Sequence, residues 1–147
     1  MKLVPILIAE DDDEDRFLIK ESLIKCRLAN DPFFVNDGVE ALEYLRNTGK
    51  YAEKEKFRRP GLVLLDLNMP KKGGLDVLKE IRADPSLCTI PVVILTTSKG
   101  EEDLLNSYKI GANSFISKPV GFDSLVRVMS SLTNYWFGVV ELPGEKY

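Results

Sequence analysis

The feature that most constrains the fold is an alternation. Five short apolar runs, Leu3–Ala9, Pro32–Asn36, Leu62–Asp66, Pro91–Thr96 and Ser114–Ser117, are each followed by a stretch with apolar residues at helical spacing. Short, nearly continuous apolar runs of this kind read as strands buried on both faces. The first intervening helix spans Asp13 to Ala29, capped by Asp12 or Asp13, through Phe17, Leu18, Leu23, Ile24 and Leu28. The second opens at Asp37-Gly-Val-Glu40, the spacing of a capping box, and continues through Val39, Leu42 and Leu45. The third runs from Leu75 to Ala83 and stops near Asp84-Pro85; the fourth spans Glu101 to Ile110 and ends at Gly111. The last opens at Asp123 and reaches about Tyr135. Strand and helix thus alternate five times. That predicts an α/β fold with a doubly wound five-stranded parallel sheet, helices on both faces and right-handed crossovers. Such sheets bind ligands outside the carboxyl ends of their strands.

Composition narrows the chemistry. The chain has 147 residues and 44% hydrophobic content, enough for one domain with a substantial core. It has no histidine, which removes histidine nucleophile activation, histidine metal ligation and phosphohistidine chemistry on this chain. Its two cysteines, Cys26 and Cys88, form no Cys-x-x-Cys pair, so zinc-finger and disulfide scaffolds are excluded and a reducing cytoplasm is expected. A balance of 20 basic and 23 acidic residues, net −3, argues against nucleic-acid binding. No apolar run approaches the ~20 residues of a membrane helix, and no membrane is expected. Leu3–Ala9 is not read as a signal segment, because six acids, Glu10 to Asp15, follow it at once.

The strand ends carry the chemistry. Glu10, Asp11 and further acids follow the first strand, Asp66 ends the third, Thr96, Thr97 and Ser98 end the fourth, and Lys118-Pro119 follows the fifth. Each alone has a bland reading as helix start, turn former, strand residue or surface lysine. The fold brings them to one rim for an independent reason. Two like charges 4 Å apart repel by ~4 kcal/mol at an effective dielectric of 20. Gathering Glu10, Asp11 and Asp66 therefore calls for a hard divalent cation with oxygen ligands, with magnesium the natural choice. Asp66 can then attack a phosphoryl group, with Lys118 and the Thr96 hydroxyl binding its oxygens.

Four motifs, ILIAEDDDED, LLDLNMPKKGG, VILTTS and FISKP, occur in order on the expected elements. Over residues 3 to 134 they resemble the receiver domain of two-component response regulators. The resemblance implies a flavodoxin-like (βα)5 fold with strand order 2-1-3-4-5. It implies Asp66 as phosphoacceptor, and Mg2+ held by Asp11, Asp66 and the backbone carbonyl of Asn68, with Glu10 acting through water. Thr96 takes the place of the switch hydroxyl, Lys118 of the phosphate-pairing lysine and Phe115 of the rotating aromatic. A sensor histidine kinase is the implied partner, and a cis Lys118–Pro119 bond is implied as well. Phe115 lacks the hydroxyl of the frequent tyrosine, and Glu10 replaces a common aspartate.

Residues 1–135 are expected to form the receiver domain and 136–147 an apolar tail. With 29 residues after Lys118, about half of them in the last helix, no output domain is expected. The tail resembles those of stand-alone receivers that serve phytochrome-type kinases. Gly49–Arg59, with five basic and two acidic residues, reads as a solvated loop. The output surface is expected on the fourth helix, fifth strand and fifth helix. There Trp136 and Phe137 either anchor a homodimer or kinase or cover the end of the core. Without phosphorylation, Thr96 is expected to have no phosphoryl oxygen to hold and Phe115 to be free to point outward. Three rivals are weighed. A flavodoxin-like nucleotide binder would have its phosphate repelled by the six acids. A haloacid-dehalogenase-type phosphatase needs a second aspartate where Asn68 stands. A phosphorylation-independent pseudo-receiver is disfavoured by the intact Asp11, Asp66, Thr96 and Lys118.

Overall fold

The computed structural model describes residues 4–26, 32–97 and 100–143. The expected positions Leu3, Leu28, Ala29 and Ser98 and the end of the tail lie outside the described residues. The elements are β1 (Ile6–Ala9), α1 (Asp13–Lys25), β2 (Pro32–Val35), α2 (Gly38–Arg46), β3 (Leu62–Leu65), α3 (Gly74–Ala83), β4 (Val92–Thr96), α4 (Glu101–Ile110), β5 (Ser114–Ser117) and α5 (Phe122–Thr133). All strand pairs are parallel, in the order β2-β1-β3-β4-β5. From β1 the chain moves outward one way to β2 and the other way to β3, so the switch point lies between β1 and β3.

Period-two alternation sorts each strand between two apolar layers. Leu7, Ala9, Val63, Leu65, Val92 and Ile94 face the layer of α2 and α3. Ile6, Ile8, Leu62, Leu64, Val93 and Leu95 face the layer of α1 and α5. The three central strands are buried throughout, which is why their sequences are continuous apolar runs. β5 is an edge strand, half-buried over Ser114, Phe115 and Ile116.

Helix starts follow the sequence closely. Asp12 caps α1, accepting from the Glu14 and Asp15 N–H groups. Asp37 caps α2 by accepting from Glu40 N–H at 2.8 Å. The reciprocal half of the expected capping box differs. The Glu40 carboxylate passes the cap and accepts instead from the backbone N–H of Asn36. The buried face of α1 also differs from expectation. Ile19, Ser22 and Leu23 are buried, whereas Phe17 and Ile24, seven residues apart and so on one side, are 61% and 59% exposed. Ser22 tolerates burial because its hydroxyl donates to Ile19 O at 2.7 Å.

The segment between α2 and β3 is not the solvated loop its composition suggests. It forms a 3-10 turn (Gly49–Tyr51) and buries Tyr51. Tyr51 and Phe57 pack with Phe33 and Tyr44, with ring centroids 4.9–5.9 Å apart. The Asn47 amide donates to Tyr51 O and Phe57 O, and Tyr44 hydroxyl donates to Arg58 O. At the other end, α5 continues into a π-helical turn (Asn134–Val139) closed by Val140 N–H donating to Tyr135 O. Trp136 is buried against the α5 layer and Phe137 half-buried beside it, while Tyr135 and Val139 face outward.

Candidate functional site

The sheet places each polar residue one step past, or at the end of, a buried strand. Glu10 N–H donates to Val35 O and Asp66 N–H to Ala9 O, each carrying the ladder one residue beyond β1 or β3. Thr96 is the last residue of β4, and Lys118 N–H donates to Thr96 O at 2.8 Å. The backbones of Glu10, Asp66, Thr96 and Lys118 are thus fixed by sheet hydrogen bonds, and their side chains project from a rigid rim. The loop after Asp66 folds tightly back over it. A Cβ on Gly74 would lie 2.3 Å from Asp66 O, so the close approach requires glycine.

Asp66, Glu10 and Thr96 are buried, which for the two carboxylates is unusual without partners. Asp66 has three partners. Its Oδ1 accepts from the Thr96 hydroxyl at 2.7 Å and from the Asn68 N–H at 3.2 Å, and its Oδ2 accepts from Lys118 Nζ at 2.9 Å. Lys118 Nζ also pairs with Glu10 and, at 2.8 Å, with Asp15 Oδ2. Carboxylate oxygens of Glu10, Asp11 and Asp66 lie within 4.8 Å of one another. Asp11 is exposed at the rim, beside the two buried acids.

The electrostatics follow from burial. Burial pushes the Glu10 carboxyl up to about 7, and the Asp66 charge adds to this, against the opposing pull of Lys118. For Lys118, burial favours the neutral amine. Hydrogen bonds that the ammonium donates to Asp15, Glu10 and Asp66 outweigh it and hold Lys118 above the ordinary lysine value. The cluster therefore holds one fixed cation among several acids, a donor set of hard oxygens suited to a small divalent ion.

The sequence-based residues assemble as follows. Glu10, Asp11, Asp66, Asn68, Thr96 and Lys118 converge. Phe115 sits on β5, half-buried against the α2–α3 layer. Thr96, with no phosphoryl oxygen to hold, donates its hydroxyl to the Asp66 carboxylate itself. The expected cis bond is corrected: the Lys118–Pro119 peptide is trans. X–Pro bonds retain a trans preference of about 0.5–1 kcal/mol, and Lys118 reaches the carboxylates from the trans strand end. Two contacts went unread. Asp15 was one acid among six, with nothing local to single it out. Tyr108 on α4 accepts from the Phe115 N–H at 3.1 Å, so an α4 side chain caps the edge of β5 beside the aromatic. Its only sequence signal is its spacing within α4.

Residues 6–130 match the family described as the response regulator receiver domain. Response regulator Rcp1 of Synechocystis is 38% identical over 138 residues, spanning 94% of this chain and 92% of the relative. Among solved structures, that of a phosphorylated cyanobacterial phytochrome response regulator, RcpA, shares 39% identity with a TM-score of 0.90, covering 97% of this chain and 100% of the other. The Mn(2+)-bound form of Rcp1 shares 37% identity with a TM-score of 0.87, covering 96% and 99%.

Proposed function

Because this chain belongs to the response regulator receiver-domain family, a signalling rather than a classical enzyme family, we propose that Asp66 is its phosphoacceptor and that a sensor histidine kinase supplies the phosphoryl group. The observation that carries this reading is the setting of Asp66. A buried carboxylate meets a hydroxyl at 2.7 Å on one oxygen and an ammonium at 2.9 Å on the other. In the transfer, an Asp66 oxygen attacks phosphorus and forms a new O–P bond. The bond from phosphorus to the donor, P–N when the donor is a phosphohistidine, breaks, and its electron pair leaves with the donor. Thr96 Oγ1 and Lys118 Nζ then turn from the carboxylate to the oxygens of the attached phosphoryl group.

A receiver domain binds a divalent cation at its acidic pocket. The cluster of Glu10, Asp11 and Asp66 fits such an ion on donor chemistry alone. Mg2+ is the proposed ion, held by Asp11, Asp66 and the Asn68 carbonyl, with Glu10 acting through water. When bound it neutralises charge on the transferring phosphoryl oxygens. Glu10 and Asp66 need it most, since both are buried and repel each other.

The switch is a population shift. Movement of Thr96 toward the phosphoryl group changes the space beside Phe115 and hence the face formed by α4, β5 and α5. That face has features of a contact surface. Leu104, Leu105 and Tyr108 on α4 are 40–55% exposed, and a cavity of about 410 Å3 between β5 and α5 is lined by Ile116, Val128, Leu132, Tyr135 and Trp136. A homodimer or the kinase would dock there, with Trp136 supporting the floor and Phe137 at its margin. The phytochrome attribution of RcpA belongs to that protein; similarity over 97% of this chain favours a phytochrome-type kinase as partner here. Residues 1–135 act as the receiver and the tail serves this face. Among the described residues no helix is long and apolar enough to cross a membrane, which agrees with work in the cytoplasm. The net charge of −3 favours protein over nucleic-acid partners.

Intact-mass spectrometry after incubation with acetyl phosphate and Mg2+ tests this reading. One added phosphoryl group, lost when Mg2+ is chelated beforehand, is the expected result. An unchanged mass with a kinase-dependent complex would favour the pseudo-receiver. Sustained hydrolysis of unrelated phosphate esters would favour a phosphatase.

A further inference from the structure

We propose that Asp15 is a positioning residue for phosphoryl transfer, holding the Lys118 ammonium over Asp66 through the exchange of its third partner. The proposal rests on Asp66 being the phosphoacceptor.

An ammonium has three donors and no acceptor. Lys118 Nζ pairs with three carboxylates, Glu10, Asp15 and Asp66, each from a different part of the sheet rim. The side chain is 9% exposed, so water is a poor substitute for any of them. Asp66 cannot hold the ammonium in the same way once one of its oxygens is esterified. Glu10 is the neighbour most affected by a divalent ion, because it lies in the same carboxylate cluster. Asp15 is outside that cluster as the geometry defines it, yet lies 2.8 Å from Nζ. It is the partner whose contact with Lys118 survives both events.

The helix start explains why Asp15 can do this. Asp12 caps α1 and accepts from the Asp15 N–H, which fixes the first turn. The contact joins residues 103 positions apart, from the start of α1 to the end of β5. Pro119 follows Lys118 at once, and a small cleft of about 80 Å3 lined by Asp15, Leu18, Lys118, Pro119 and Phe122 lies beside the pair. With Asp15 in place, the ammonium needs to trade a single bond, from the Asp66 carboxylate to a phosphoryl oxygen. Without it, the long lysine side chain regains rotamers that carry the charge away from the site.

A double-mutant cycle on the full chain separates positioning from other roles. Asp15→Asn should slow phosphoryl uptake from acetyl phosphate with Mg2+ by about five-fold, the loss expected when a charge-assisted hydrogen bond becomes a neutral one. In a Lys118→Met background the same substitution should not slow uptake, because what remains is one fewer acid near an anionic donor. Asp15→Asn should lower the melting temperature in the wild-type background, where the Lys118 pair and one acid at the α1 N-terminus are both lost, and by less in Lys118→Met, where only the second applies. Equal slowing in both backgrounds, or none in either, would overturn the proposal.

A second measurement needs no phosphoryl chemistry. In protein labelled with 15N-lysine, the Lys118 ammonium protons should exchange slowly with water, and Asp15→Asn should make them exchange fast. Unchanged protection would also overturn it. Wild-type protein that took up no phosphoryl group would defeat the phosphoacceptor reading, while this second measurement would still decide whether Asp15 holds Lys118.

Discussion

Two regions of this molecule bury polar chemistry in opposite ways. At the sheet rim, the ionisable side chains of Glu10, Asp66 and Lys118 are buried together, positioned by backbone hydrogen bonds that the parallel sheet makes for its own reasons. Between α2 and β3, the chain buries aromatic rings, and its polar groups serve to hold them. Tyr51 hydroxyl donates to Glu40, and burial, the Glu40 contact and nearby acids hold the Tyr51 hydroxyl above its usual value. Burial works to raise the Glu40 carboxyl, but donation from Tyr51 and Asn36 outweighs it and keeps the group below its usual range. The first region gathers its ionisable groups around the proposed phosphoacceptor, Asp66. The second spends its charge–hydroxyl contacts on fixing a connection. Buried charge at the rim should therefore cost stability, and the aromatic cluster should supply it.

The largest break in this comparison is Tyr51→Ala. Removing a buried aromatic ring costs about 3 kcal/mol or more, which is roughly 6–12 °C in melting temperature for a chain of this size. Phosphoryl uptake measured well below the new melting temperature should be unchanged, because no rim residue depends on the segment. A stable Tyr51→Ala protein that lost uptake would join the two regions and break the distinction.

The next effect is smaller and has a sign. Burial raises Glu10 from 4.5 to about 7, so the folded metal-free protein holds a proton that the unfolded chain has released. The contribution is fully present below 4.5 and is lost as pH rises through 7, leaving a penalty above it. Urea unfolding in chelator should show Glu10→Gln more stable than wild type by up to about 3 kcal/mol at pH 8 and nearly equal at pH 4.5, the Lys118 pairing being already part of the shift. Excess Mg2+ should narrow the gap at pH 8. Parallel pH profiles for the two proteins would mean that the rim charge costs nothing.

These regions also differed in how far the sequence revealed them. The rim was legible because its logic is topological. Buried runs ending in Glu10, Asp66, Thr96 and Lys118 imply a parallel sheet, and a parallel sheet brings those ends together. The α2–β3 connection was illegible because GKYAEKEKFRR has no apolar period. Tyr51 and Phe57 are single aromatics that find Phe33 and Tyr44 only in three dimensions. In α1, the apolar residues Phe17 and Ile24 suggested a buried stripe, yet Ser22 lies inside because its hydroxyl bonds within the helix. Asp15 was hidden by its neighbours: six consecutive acids cannot be ranked without the position of Lys118.

The smallest expected effect lies in the loop that links the rim to α3. Lys71 has a left-handed backbone with φ of 65°. Lys71→Gly relieves that strain, and chemical denaturation should show a gain of about 0.5 kcal/mol after the extra freedom of the unfolded chain is set against it. The pair at 3.6 Å between the exposed Lys71 ammonium and the buried Asp37 carboxylate should contribute little to the balance, because the lysine stays in water. A loss of stability would mean that this pair helps to hold the loop over the rim.

The central claim is that the rim exists to place a phosphoryl group on one carboxylate. Peptide mapping by mass spectrometry after incubation with acetyl phosphate and Mg2+ tests it most directly, with the acyl phosphate trapped by borohydride reduction. The account expects the modification on Asp66 alone, and none anywhere in an Asp66→Asn protein that melts at or above the wild-type temperature. Modification at Asp11, Asp15 or another acid in the wild type, with Asp66 untouched, would contradict it.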